Sequence, residues 1–264
     1  MTDLDTAGGV LEAAQRRAAE RLLAEEGAKR RHLVVYLSGA HAYGFPSPDS
    51  DLELKAVHLE PTARLLGLSP PAAHAVRLEV FGGIEVDYSS NELGAVVQGI
   101  LAGNGNYLER ILGPTALVTS SEHAALRPLV LRAVSRNAYR HYAGFARNQL
   151  MQVERSEAPT AKKVLYVLRT ALTGTHLLAT GELVADLTQL LDRYGFGRAS
   201  ELVAAKKQGE QTVLAPGERD YWVAEAGRAL ARLEAAHEES VLPAEPQNRG
   251  ELEDWLLELR RASW

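Results

Sequence analysis

Two carboxylates stand two residues apart at the head of an alternating stretch, Asp51-Leu52-Glu53-Leu54-Lys55-Ala56-Val57. Polar-apolar alternation is strand spacing, and residues two apart on a strand share a face. Asp51 and Glu53 therefore stand side by side. Adjacent carboxylates repel unless a cation lies between them, so the pair is a candidate site for a hard cation bound through oxygen. An apolar run at 33–37, rich in β-branched and aromatic residues, precedes them as a buried strand. Ser38-Gly39-Ala40 then forms a small-residue turn whose backbone N–H groups can cradle phosphate. His41, Tyr43 and Gly44 come next, and 45–50 is loop chemistry with two prolines.

A second pair of acids lies further on. The spacing predicts a hairpin of strands at 75–81 and 84–89 joined by Gly82-Gly83. Glu85 and Asp87 share one face of its second strand, which an exposed strand face alone would also explain.

The run Ser-Gly-x-His-x-Tyr-Gly-Phe-x-Ser-Pro-Asp-Ser-Asp-x-acid at 38–53 resembles the signature of the DNA polymerase β-type nucleotidyltransferase superfamily. More narrowly it is similar to the bacterial RNA-repair-associated, RlaP-like group. The match is close over 33–112 and looser beyond, and Gly103-Asn104-Gly105-Asn106 adds to it. The resemblance implies an α+β fold: a polymerase β-like domain with a small mixed sheet and helices, then an all-helical lobe. It selects Asp87 over Glu85 as the third acid. Asp51, Glu53 and Asp87 are thereby the implied catalytic residues and ligands of two Mg²⁺ (or Mn²⁺) ions. Ser38, Gly39, Ala40, His41 and Ser50 are the implied nucleotide contacts around the turn. A Lys and an Arg on a later helix are expected to face the triphosphate, which points to Lys162, Lys163 and Arg169. The implied substrates are a nucleoside triphosphate, ATP foremost, and a hydroxyl acceptor such as an RNA end.

The chain departs from the pattern twice. Ala40 stands where the family has Ser after the glycine, and Glu53 where this group has Asp. These departures open a second reading, a nucleotide- or RNA-binding protein with little or no catalysis. A third is an enzyme that transfers AMP to protein.

Around the motif, 10–28 has helical periodicity and runs into the basic Lys29-Arg30-Arg31-His32, a pattern of a solvated helix end. Short helices are expected at 62–68 and 91–102, and Asn104 and Asn106 could cap the next or touch nucleotide. From about 119 the composition turns helical. One long run is expected at 122–153, then helices at 161–179, 184–194, 199–207, 218–239 and 251–261. Lys162 and Arg169, seven apart, share a helix face, as the cations of an ordinary exposed helix also would. Arg136, Arg140, His141 and Arg147, interleaved with Tyr139 and Tyr142, have the pattern of a single-strand-binding wall. The shift of composition predicts a nucleotidyltransferase domain at 1–118 and a helical domain at 119–264, packed with a cleft between them.

The bulk properties fit that frame. The 264 residues are 46% hydrophobic and 24% charged, with a formal net charge of −5 that leaves no room for a wholly basic coat. The chain contains no cysteine, which removes disulfides, zinc-thiolate sites and thiol nucleophiles. It has neither a signal-peptide pattern nor a membrane-length apolar run, so a cytoplasmic setting is expected.

Overall fold

The computed structural model describes residues 11–209 and 211–264; the helix start predicted at Val10 lies outside them. The chain forms two compact units that do not follow a single cut near residue 118. The first comprises 11–39, Asp51–Ala133 and Pro246–Trp264, and the second Ala40–Ser50 and Val134–Glu245.

The first unit is built on a five-stranded sheet. Its elements are α1 (Ala13–Gly27), β1 (Arg31–Leu37), the start of the one-turn helix α2 (Gly39–Tyr43), β2 (Leu52–Leu59), α3 (Thr62–Leu65), β3 (His74–Phe81), β4 (Ile84–Glu92), α4 (Leu93–Leu101), α5 (Gly105–Leu112), β5 (Ala116–Thr119) and α6 (Ser121–Ala133). The strand order is β3-β4-β2-β1-β5. The chain leaves β2, runs out to the edge as β3, and turns back. The Gly82-Gly83 turn has φ of +57° and +87°, the sense that matches the twist of paired strands. The returning β4 therefore lies beside β2 and parallel to it, while the other neighbours are antiparallel.

Helix α1 seals one sheet face. Ala18, Ala19, Leu22 and Leu23 pack on Val35, Leu37, Leu52, Leu54, Val86 and Tyr88. Because alternate residues point oppositely, Glu53, Lys55 and Asp87 emerge on the other face.

Three expectations need correction here. Gly39 and Ala40 do not end as a turn but open α2. The strand β5 was not expected, since Ala116-Leu117-Val118-Thr119 is too short to show a period; pairing with β1 creates it. The run at 122–153 is two helices, α6 and α7 (Ala138–Arg155). At the break the backbone N–H of Arg136 donates to the Pro243 carbonyl at 2.9 Å and its Nε to Leu242 O at 3.1 Å.

In the second unit the central helix is α8 (Ala161–Thr180), flanked by α7, α9 (Ala199–Lys206) and α10 (Arg219–Glu238). Thr160 caps its start, and Gly181, at φ +79°, ends it. The helix expected at 184–194 is only a 3-10 turn, Leu187–Gln189. Asp186 captures the Thr188 N–H at 2.9 Å and its hydroxyl at 2.6 Å, which favours a turn over a helix. A last helix, α11 (Arg249–Ala262), returns to the first unit, where Arg260 pairs with the buried Glu92.

Histidines tie the sheet's far end. His32 Nε2 meets the Tyr88 hydroxyl at 2.7 Å, and His58 Nδ1 meets Ser90 Oγ at 2.7 Å. Burial first, then the Arg30 guanidinium, lowers both imidazoles to a pKa of about 4. The unfolded chain, near the ordinary 6.5, binds more protons than the fold between those values, so stability rises with pH through that window. Thermal melts are therefore expected to show a midpoint that falls as pH drops from about 6.5 to about 4. His58→Asn is expected to flatten that slope.

Candidate functional site

The acid face is built by register. Glu53 and Asp87 are direct partners across the parallel pair β2–β4, as are Lys55 and Ser89 one row on. Asp51 precedes β2 by one residue and shares the face of Glu53. Lys55 Nζ lies 2.8 Å from Asp87 Oδ2 and 4.0 Å from Glu53 Oε2. An ammonium thus bridges two carboxylates that would otherwise repel. Glu85, the alternative third acid, is more exposed and lies opposite Val80 on β3, before the β2–β4 pairing begins at Val86.

The turn before β2 presses on the same acids. The Ser38 N–H donates to the Glu53 carbonyl at 2.8 Å, which fixes the turn against the strand. Gly39 has φ +64°, and a Cβ there would overlap the Glu53 carboxylate. The glycine therefore serves both a left-handed backbone and the close approach of an acid side chain. Ala40 and His41 follow in α2 and are buried, as is Ser38. Ala40 thus presents a buried methyl where the family pattern carries a hydroxyl.

In the second unit Arg169 is buried, with its guanidinium 3.6 Å over the Tyr43 ring. Tyr166 edges Tyr43 at 5.8 Å and Phe45 at 5.9 Å, and Lys162 Nζ lies 5.8 Å from the Tyr166 ring. Residues 162, 166 and 169 thus form one α8 stripe along the segment that carries Tyr43 and Phe45. Lys163 is on the first turn of α8, its N–H held by Thr160 Oγ1 at 3.4 Å. His141, next to this cluster, has its pKa lowered to about 4 by burial and then by Arg169.

Ser50, an expected nucleotide contact, sits in a hydrogen-bonded turn. It is buried, and its hydroxyl accepts from the Ser47 N–H and from Lys206 Nζ, at 3.0 and 2.7 Å. Lys206 Nζ also reaches Ser47 Oγ at 2.7 Å. The fully buried Lys206 thereby closes the turn immediately before Asp51. The sequence pattern gives Lys206 no role beyond a place in the helix expected at 199–207. Its place three and four residues after the buried Val203 and Leu202 was the available signal. Asn104 accepts from the N–H groups of Asn106 and Tyr107, which makes it the cap of α5.

Among the described residues, no three carboxylate or imidazole groups converge closely enough to cage a metal ion. The donor set nevertheless fits a hard divalent cation, since its members are oxygen acids on one face and one pair already holds a positive charge. Also among the described residues, no helix is long and apolar enough to cross a membrane.

The mixed sheet with its added helices is a polymerase β-like nucleotidyltransferase fold, and the chain adds a helical part. The chain belongs to the RNA repair pathway DNA polymerase beta family, whose model matches residues 14–258. That membership supports a general nucleotidyltransferase role. An uncharacterized protein of Methanocaldococcus jannaschii is 28% identical over 178 residues, spanning 66% of this chain and 72% of that one. A solved nucleotidyltransferase-like protein from Exiguobacterium sibiricum aligns over 93% of this chain and 79% of its own, at 13% identity and a TM-score of 0.34.

Gly39→Ala combines left-handed strain with the overlap on Glu53, and is expected to destabilise the protein by about 1–3 kcal/mol, read from urea unfolding.

Proposed function

We propose that the protein transfers a nucleoside monophosphate from a nucleoside triphosphate, ATP foremost, to a hydroxyl acceptor such as an RNA end. The observation that carries this reading is the row formed by Glu53 and Asp87 across β2–β4, with Asp51 at its head and the Gly39 turn against Glu53. In such a transfer the acceptor oxygen attacks the α-phosphorus, the bond to the bridging oxygen breaks, and pyrophosphate leaves with that electron pair. The proton of the acceptor hydroxyl passes to Asp87. Asp51 and Glu53, with Asp87, would hold Mg²⁺ or Mn²⁺, which would supply charge compensation for the phosphates and lower the pKa of the attacking hydroxyl. Lys55, 2.8 Å from Asp87, would give up that ion pair when a divalent cation enters. The Gly39 and Ala40 N–H groups would receive the terminal phosphates. Arg169, stacked on Tyr43, would hold the motif segment in shape, and Lys162 and Lys163 stand on the same helix.

A second reading keeps nucleotide or RNA binding and removes most catalysis. The buried Ala40 methyl favours it, because position 40 then offers phosphate a backbone donor but no hydroxyl.

The test is transfer of label from α-labelled triphosphates into RNA and into protein, with and without Mg²⁺. Metal-dependent labelling of RNA is expected. Asp51→Asn and Asp87→Asn are each expected to lower the rate at least about 100-fold while leaving the melting temperature within a few degrees, since neither acid is buried. Normal transfer by either variant would remove the site assignment. Label in protein would turn the reading to AMP transfer, and binding without transfer would favour the second reading.

A further inference from the structure

Strand β3 ends the sheet, so no described strand hydrogen-bonds its outer side. Its open face carries Val76, Leu78 and Val80, exposed by 70%, 69% and 61%. A long apolar edge strand is the place where a sheet adds another strand. Three consecutive apolar rungs at this exposure exceed the single hydrophobic residues that any surface carries.

The order of residues says what fits there. If a second β3 is laid antiparallel about a two-fold axis at Leu78, then Leu78 meets Leu78 of the partner subunit. Val76 then meets Val80 of the partner subunit, which keeps the open face apolar across the seam. On the other face Arg77 meets Glu79 of the partner subunit, opposite charges directly across, and Ala75 meets Phe81 of the partner subunit. Each face is thus self-complementary under one operation, which is what a two-fold interface demands. Opposite charges and apolar pairs directly across are the stabilising cross-strand combinations, whereas like charges would oppose the pairing. Arg77 is already held in place by Glu25 at 2.5 Å, by Glu26 at 3.0 Å and by Glu79 of its own chain, so its guanidinium is ordered before any partner arrives, and the partner subunit's Glu79 would join an existing network of opposite charges.

We propose that β3 is a homodimerisation edge, through which two copies of this chain pair antiparallel about Leu78 and join their sheets. The seam borders the acid row, because Leu78 is the β3 partner of Asp87, one strand spacing of about 4.8 Å away. The inference does not depend on nucleotidyl transfer.

The test uses the full chain. Sedimentation across a concentration series is expected to show a monomer–dimer equilibrium. Leu78→Lys places like charges at the axis and is expected to weaken the dimer at least about tenfold, with the melting temperature of the monomer unchanged. The chain has no cysteine, so Leu78→Cys introduces a single thiol. Antiparallel neighbours lie within reach of a disulfide, so mild oxidation is expected to link two Leu78→Cys chains. Leu66→Cys, at a position of 71% exposure off the strand, is expected not to link. A wild-type protein that stays monomeric throughout, with Leu78→Cys linking no faster than Leu66→Cys, would overturn the proposal. So would a monomer that loses RNA binding in Leu78→Lys, which would assign the strip to RNA.

Discussion

Like-charge repulsion on the open face of the sheet is the constraint on which the rest depends. Parallel pairing of β2 with β4 fixes Glu53 beside Asp87, and strand geometry puts Asp51 on the same side. Carboxylates so placed are unfavourable unless compensated. The chain supplies its own compensation in Lys55, from the same face of β2.

The surrounding structure keeps that face both rigid and open. Helix α1 buries the opposite side of the same strands, so the acids stand on a backbone fixed by a dry core. Gly39 lets the preceding turn close over Glu53 without a clash. On the other side of the motif, Lys206 ties Ser47 and Ser50 together directly ahead of Asp51. The motif segment is therefore anchored at both ends, by a backbone hydrogen bond from Ser38 and by a buried ammonium. The units divide at these two points, so residues 40–50 fold with the helices while their flanks fold with the sheet.

Much of this was legible in the residues. The alternation that begins at Asp51, the Gly82-Gly83 hairpin, the Thr160 cap and the Gly181 stop each have a local cause, and each is realised where the spacing predicts. What sequence periodicity could not supply was any element whose cause is distant. The strand β5 exists because β1 offers it an edge. The break between α6 and α7 coincides with bonds from Arg136 to residues more than a hundred positions later. The expected helix at 184–194 yields to Asp186, a competition between side chain and backbone that hydropathy does not register.

The sequence by itself determined the candidates: the Asp51/Glu53 pair, the Glu85/Asp87 pair, a small-residue turn and a helix with Lys and Arg at helical spacing. These follow from residue type and from the fixed periods of strand and helix. Only the tertiary structure decided which acids are neighbours, because register between β2 and β4 is a contact between segments more than thirty residues apart. It also decided that Ser50 is a buried acceptor of Lys206 and that Arg169 lies on Tyr43. A side chain's role depends on what stands across from it, and that is set by packing of distant segments rather than by spacing along the chain.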